Sequence, residues 1–178
     1  MNIIQKPSPN FGSRNGTPIT KVIIHITTGT ASSAIDWFTR SSQLKGTPAS
    51  AHYLVCLDGT IYQFVKESDR AWHATTANSY SIGIEHEGTD LSKALQVQLQ
   101  ASAELIKDIC TRHNIPMDRK HILGHYEIDL ARRPNCPATD KSVIDRIIAL
   151  AMPEPAITFS FTLPKTKMDK VLAFIKTI

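Results

Sequence analysis

A nearly continuous apolar run at residues 21–26 is the first clear element of the chain. Its β-branched members are Val22, Ile23, Ile24 and Ile26. Such a run is typical of a central strand that is covered on both faces. His25 interrupts the run. A lone histidine on a buried strand is most often a hydrogen-bonded core residue, but a neutral imidazole on a rigid strand is also a good zinc ligand.

Four further stretches have the polar and apolar pattern of strands. Residues 52–57 and 60–65 flank Asp58-Gly59, a dipeptide that suits the positive φ angles of a tight turn, so they predict a β-hairpin. Residues 81–86 alternate between apolar and other side chains with a period of two. Residues 121–124 predict a short strand that ends just before a histidine.

Helical periods occupy three segments between and after these strands. In chain order, they run from Ser32 or Ser33 to Phe38, from Asp90 as N-cap to about His113, and from about Thr139 or Asp140 onwards. Residues 1–18, rich in Pro, Asn, Gly and Ser, predict an extended lead-in, and residues 66–80 predict an irregular loop. The length and the order of elements indicate one α/β domain with a small appendage.

Pro153 and Pro155 mark the one credible domain boundary. Beyond them, apolar and polar residues alternate strictly from Ile157 to Leu163, and a helical pattern follows. We therefore divide the chain into a main domain, residues 1–152, and a β-α extension, residues 153–178. A unit as small as this extension cannot bury a core of its own, so it must dock on the main domain or on another copy.

Composition describes an ordinary folded protein. The 178 residues are 42% hydrophobic and 20% charged, and the net charge of +4 suits an anionic partner such as a wall polymer or a nucleic acid, or simply a solvated surface. The N-terminal residues have no signal-peptide pattern and no apolar run approaches the roughly 20 residues of a membrane span, which predicts a chain that is cytoplasmic at synthesis. Cys56, Cys110 and Cys136 form no short pairing pattern, so no disulfide framework is expected.

Two downstream residues are candidate partners for His25. His125 follows Gly124 at a predicted strand end, and Cys136 lies in a proline-containing loop. Two histidines and one thiolate form a catalytic type of zinc site, because three protein ligands leave the fourth tetrahedral position for water. Residue types alone leave two alternatives possible. His125 could be a surface residue and Cys136 a thiol without a function, or the two side chains could form a metal-free thiol hydrolase.

Six short motifs occur in an order that matches a known family. They are VIIHITT, SAHYLVCLDGTIYQFV, AWHA, SIGIEHEGTD, GHYE and NCP, within residues 21–150. Their order and spacing resemble the type 2 N-acetylmuramoyl-L-alanine amidases, a zinc-dependent family that includes phage lysozyme-type amidases, cytosolic anhydromuropeptide amidases and peptidoglycan recognition proteins. The resemblance implies a central mixed β-sheet flanked by helices, and a Zn²⁺ cofactor.

The resemblance also implies roles for particular residues. The zinc ligands of the family match His25, His125 and Cys136. The positions where relatives line the substrate groove match His52, Trp72 and His73. Glu85 matches the catalytic glutamate of the cytosolic branch. Judged without the resemblance, His52 is equally well a buried turn histidine. Trp72 is then more often a packing aromatic, and Glu85 is by default a solvated strand-end carboxylate.

The implied reaction cleaves the amide bond between N-acetylmuramic acid and L-alanine. Zinc lowers the pKa of bound water to about 7, and Glu85 would take the proton of that water and deliver it to the leaving amine. Many relatives carry an oxyanion-stabilising lysine two residues before the third ligand, whereas this chain has Pro134 there, so Arg133 is the predicted replacement. Ala51 stands where some phage members carry a tyrosine, which favours Glu85 as the base.

Two functional classes fit this set of residues. The first is a zinc amidase acting on peptidoglycan or muropeptides, with no nucleic-acid partner; the missing leader fits a phage-type endolysin, which we favour, or a cytosolic anhydromuropeptide-recycling amidase. The second is a module that binds muropeptides without cutting them, although such modules usually lack the full ligand set. Residues 153–178 could bind wall polymer, mediate oligomerisation or brace the main domain.

Overall fold

A mixed six-stranded β-sheet forms the centre of the protein in the computed structural model, which describes residues 2–152. The strands are β1 (Ile3–Gln5), β2 (Phe11–Ser13), β3 (Lys21–Ile24), β4 (Tyr53–Val55), β5 (Ile61–Gln63), β6 (Asp69–Ala71), β7 (Ser81–His86) and β8 (Ile122–Gly124). The order across the sheet is β1-β5-β4-β7-β3-β8, with β4 and β5 antiparallel and the other neighbours parallel.

Helices cover both faces of the sheet, which confirms the predicted fold class. They are α1 (Ala31–Thr39), α2 (Ser42–Lys45), α3 (Gln96–His113), α4 (His125–Ile128) and α5 (Val143–Ala151), with 3₁₀ turns at Thr75–Ala77 and Leu91–Lys93. Asp90 caps the second 3₁₀ turn instead of α3, because its carboxylate accepts the Ser92 N–H, and α3 begins only at Gln96. Likewise α1 is capped by Thr30, whose hydroxyl accepts the Ser33 N–H, and not by Ser32 or Ser33.

Strand β3 is buried on both faces, as its apolar run predicted. Val22 and Ile24 pack into the core that α3 and α5 cover, while Ile23 packs on the opposite face against Ala74 and Ala77. Removing so many β-branched side chains from water supplies much of the driving force for folding. The strand that carries His25 is therefore a rigid support.

Residues 1–18 and 66–80 contain strands that the sequence did not reveal. β1 pairs in parallel with β5, and β2 pairs with β6 in a separate two-stranded sheet. Three-residue strands are too short for a period of two to show, and their partners lie far away in the sequence. Pairing of β2 with β6 holds down the segment that carries Trp72 and His73.

A buried arginine and a partly buried glutamate strengthen this region. The Arg14 guanidinium donates hydrogen bonds to the carbonyl groups of Glu67, Asn78, Ser79 and Ser81. The Glu67 carboxylate accepts hydrogen bonds from Tyr53, Arg112 and His113. Burial acts to raise the pKa of Glu67, but these donors outweigh it and lower the pKa to about 2.

The predicted hairpin is present, and Gly59 occupies its turn with a φ of 84°. None of the helices within residues 2–152 combines the length and the apolar character needed to cross a bilayer. The predicted β-α extension, residues 153–178, lies outside the described residues.

Candidate active site

Three neighbouring parallel strands end at one edge of the sheet and bring distant residues together. Ile24 of β3 is in register with Ile84 of β7 and with Gly124 of β8. The residue that follows each of these in the chain carries a polar side chain: Glu85 lies on β7, His25 directly follows β3, and His125 directly follows β8. Because residues in register on adjacent strands point to the same face, Glu85 and His25 share one face of the sheet, and His125 begins α4 at the same edge.

Cys136 completes a cluster with the two histidines. The Nδ1 atoms of His25 and His125 lie 2.9 Å apart, and the ligand atoms of all three residues lie within 4.8 Å of one another. The backbone N–H of Ile26 hydrogen-bonds the Cys136 sulfur, and the Cys136 carbonyl accepts the Tyr126 N–H. The loop is thus tied to the residues that follow both histidines.

The donor set fits Zn²⁺. Zinc binds imidazole nitrogen at about 2.0–2.1 Å and thiolate sulfur at about 2.3 Å, so tetrahedral ligand atoms lie about 3–4 Å apart. The ligand atoms of the cluster lie from 2.9 Å to at most 4.8 Å apart, a range that includes this spacing. Three protein donors of this kind would leave one coordination position for water, as in catalytic zinc sites.

Burial holds the histidines in the neutral form that a metal requires. It lowers the pKa of His25 well below its usual value, and the neighbouring imidazoles of His125 and His73 lower it further. Burial, with the positive charge of Arg133, also lowers the pKa of His125 to about 4. Burial raises the pKa of Cys136 to about 11, so a metal must displace the thiol proton when it binds.

Glu85 presents an unused carboxylate oxygen at the same edge. Its Oε2 is shielded from solvent and has no hydrogen-bond partner among residues 2–152. Burial raises the pKa of this carboxyl to about 8, against the opposing charge of Arg133. An unpaired buried carboxylate is costly, so its presence beside a metal-type cluster points to proton transfer.

The rim of the cluster carries a cation. Arg133 is exposed, and its positive charge lowers the pKa values of Glu85, His125 and Cys136. The neighbouring Arg132 instead pairs with Asp129 at 2.7 Å. Arg133 therefore lies where negative charge at the cluster can be compensated.

The three predicted groove residues have different surroundings. Trp72 is half-buried, with the Arg70 guanidinium stacked 4.3 Å from its ring centre, and His73 lies against His25. His52 is fully buried, and its Nδ1 accepts the Gly83 N–H at 3.0 Å. The ring centre of His52 lies 5.6 Å from that of His73, and the groove-lining role of His52 stays a prediction.

Strand β7 supplies two further residues that sequence reasoning did not single out. Ser81 Oγ lies 3.3 Å from His73 Nε2, and a Cβ at Gly83 would overlap the His73 ring. The period of two in SIGIE places both residues on the face of Glu85, so the alternation could have revealed them. Their relation to His73 depends on the packing of residues 66–80.

Comparison with known proteins places this site in a family. The sequence profile described as N-acetylmuramoyl-L-alanine amidase matches residues 15–139, which include the histidine–histidine–cysteine cluster and Glu85. The chain belongs to this family. The amidase family was the one implied by the six motifs, so that prediction is confirmed.

Two curated relatives and one solved structure illustrate the similarity to other amidases. N-acetylmuramoyl-L-alanine amidase A of Achromobacter lyticus is 41% identical over 97 residues, 53% of this chain and 52% of that protein. The 1,6-anhydro-N-acetylmuramyl-L-alanine amidase AmpD of Citrobacter freundii is 37% identical over 92 residues, 47% of this chain and 48% of that protein. The chain therefore spans about half the length of these relatives. The crystal structure of a selenomethionine derivative of AmpD superposes with a TM-score of 0.68 at 26% identity, covering 82% of this chain and 93% of that one.

Proposed function

We propose that this chain is a zinc-dependent amidase that hydrolyses the bond between N-acetylmuramic acid and L-alanine in peptidoglycan or its fragments. The observation that carries the proposal is the convergence of His25, His125 and Cys136 beside the unpaired oxygen of Glu85. Membership of the amidase family and the names of the two relatives support the choice of bond.

The residues of the site divide the work of amide hydrolysis. Zn²⁺, when bound by the three ligands, would polarise the amide carbonyl and make water more acidic. Glu85 Oε2 would accept a proton from the attacking water and return it to the nitrogen of L-alanine as the C–N bond breaks. Arg133, at the rim, would offset the negative charge that develops on the carbonyl oxygen. The products would be a lactyl carboxylate and a free α-amino group.

Two competing functions receive less support. A thiol hydrolase needs a thiolate at neutral pH, whereas burial raises the pKa of Cys136 to about 11. A pure binding module has no use for a buried carboxylate oxygen without a hydrogen-bond partner, and within residues 2–152 the Oε2 of Glu85 is such an oxygen. Hydrolysis assisted by a metal uses both groups.

Metal content and product mass together test the proposal. We expect about one zinc per chain, and from digested muropeptides a free L-alanyl peptide whose formation stops on chelation and resumes with Zn²⁺. Cys136→Ser should lose both metal and turnover, while Glu85→Gln should keep the metal and lose turnover. Cys56→Ser, at a buried cysteine outside the cluster, is the matched control and should retain both. Turnover that survives chelation but not thiol alkylation would overturn the zinc mechanism.

The setting of the reaction is part of the proposal. A phage-type endolysin would clear intact cell walls, and this is the role we favour from the sequence. The 37% identity to AmpD, named as a 1,6-anhydro-N-acetylmuramyl-L-alanine amidase, supports recycling of small anhydromuropeptides as the second candidate. Comparing turbidity loss of walls with peptide release from anhydromuropeptide separates them, because a recycling enzyme would act on the small substrate and leave walls turbid.

A further inference from the structure

A series of polar contacts leads from the cluster of His25, His125 and Cys136 into the interior of the protein. His25 Nε2 lies 3.0 Å from His73 Nδ1, and His73 Nε2 lies 3.3 Å from Ser81 Oγ. Ser81 Oγ lies 2.7 Å from the Ala77 carbonyl oxygen. Ser81 and Ala77 are fully buried, so these groups must satisfy one another instead of water.

The direction of the hydrogen bonds is decided at Ser81. Its hydroxyl has one proton and two neighbours, the Ala77 carbonyl and His73 Nε2. A carbonyl oxygen can only accept, and its contact is the shorter by 0.6 Å, the difference between 3.3 and 2.7 Å. Ser81 therefore donates to Ala77, and its oxygen accepts a hydrogen bond from the Nε2–H of His73.

This assignment determines the protonation of both imidazoles in turn. A neutral imidazole carries one N–H, so a His73 that is protonated at Nε2 has a bare Nδ1. That bare nitrogen accepts the Nε2–H of His25, which leaves His25 Nδ1 without a proton. The bare Nδ1 is the atom that faces His125 Nδ1 at 2.9 Å.

The reverse arrangement would block the site. If His73 were protonated at Nδ1, it would donate to His25 Nε2, and the single proton of His25 would move to Nδ1, where a metal must bind. We propose that Ser81 is a positioning residue for the metal centre: acting through His73, it selects the tautomer of His25 that presents a free Nδ1. The inference rests on the proposed zinc site and deepens it.

The local packing of β7 is consistent with this role. Ser81, Gly83 and Glu85 share one face of the strand, and the His73 ring lies directly on Gly83, where any Cβ would overlap it. The absence of a side chain at position 83 lets the ring fit between Ser81 and His25. Asn78 holds the backbone of the ring's own segment, because its side-chain oxygen accepts the N–H groups of His73 and Ala74.

The tautomers can be measured directly in the metal-free protein. Long-range ¹H–¹⁵N correlation of histidine side chains distinguishes Nδ1–H from Nε2–H, and single His→Gln variants assign the signals. We expect both His25 and His73 to be protonated at Nε2. A His73 that carries its proton on Nδ1 would overturn the proposal, whatever any variant does.

Substitutions at Ser81 test the consequence for metal binding. Ser81→Ala removes the hydroxyl acceptor and leaves, between His73 and residue 81, only the backbone hydrogen bond. We therefore expect mixed tautomers at His73 and a zinc Kd weaker by about 10- to 100-fold, the usual effect of losing a group that orients a ligand. Ser81→Thr keeps the hydroxyl and should restore both readouts. Ser8→Ala is the matched control, because Ser8 is also buried and donates to a carbonyl, that of Phe38, and its Kd should not change.

The two remaining outcomes count against the proposal. An unchanged zinc Kd in Ser81→Ala overturns it, and so does a weaker Kd with unchanged tautomers, because the serine would then be only structural. Failure of the proposed function would look different. A protein that binds zinc in the expected tautomer but releases no L-alanyl peptide would contradict the amidase activity and leave the role of Ser81 intact.

Discussion

Glu85 should weaken the fold that carries it. Its Oε2 is shielded and has no hydrogen-bond partner in the part of the chain that the structure describes, and burial raises the pKa of the carboxyl from 4.5 to about 8. The unfolded chain therefore loses this proton at a lower pH than the folded chain. The contribution of the protonated carboxyl to the free energy of unfolding is complete below pH 4.5 and is lost as the pH rises to about 8. Glu85→Gln keeps the shape and removes the ionisable group, which the unfolded chain but not the folded chain deprotonates at neutral pH, so it should stabilise the metal-free protein there.

The expected gain follows from the pKa difference. Each pH unit between the two pKa values changes the free energy of unfolding by about 1.4 kcal/mol. The ionisable group therefore costs about 3 kcal/mol at pH 7 and about 1 kcal/mol at pH 5. For a chain of this size, a gain of about 3 kcal/mol corresponds to a rise in Tm of about 6–12 °C.

Urea unfolding with chelator present, at pH 5 and pH 7, measures the effect. The comparison between the two pH values isolates ionisation, because any hydrogen-bond loss caused by the glutamine is the same at both. Glu87→Gln is the control: its oxygens accept the N–H groups of Ala31 and Leu57, so no stabilisation is expected there. If the stabilisation of Glu85→Gln is no larger at pH 7 than at pH 5, the reasoning is refuted. Loss of hydrolysis in the same variant would show that stability is given up for function.

Three other substitutions test separate features. Arg133→Ala should lower kcat by about 10²-fold or more, since it removes a compensating charge, whereas Arg132→Ala should not; peptide release measures both. Gly83→Ala should displace the His73 ring, weaken zinc binding and lower the free energy of unfolding by about 1–3 kcal/mol, as measured by metal titration and urea unfolding. Glu67→Gln should lower the free energy of unfolding by about 3 kcal/mol at pH 7. This loss should shrink as the pH falls from 4.5 towards 2, because the wild-type carboxylate is then protonated. Acid and urea unfolding measure it.

Each of these has a contrary result. Equal kcat losses in both arginine variants would remove the specific role of Arg133. Normal zinc affinity in Gly83→Ala would mean that the His73 ring moves without consequence. A Glu67→Gln protein with the same acid-unfolding curve as the wild type would show that the hydrogen bonds to Glu67 do not survive in solution.

The sequence by itself determined the long or strongly marked elements and the family. The run around Ile24, the Asp58-Gly59 turn and the helical period that ends at His113 each bury or turn the chain through local residues, so their patterns are visible without tertiary contacts. The motifs also named His25 and Cys136 before any contact was known. Metal-ligating side chains can be recognised in this way because few residue types offer such donors.

Only the tertiary structure decided which side chains meet. The strands β1, β2 and β6 exist through partners far along the chain, and three residues are too few to show a period. His52 and His73 both lie in family motifs, yet packing buries the first behind Gly83 and sets the second against His25. The register of three parallel strands, which no local pattern encodes, is what brings Glu85 beside the two histidines.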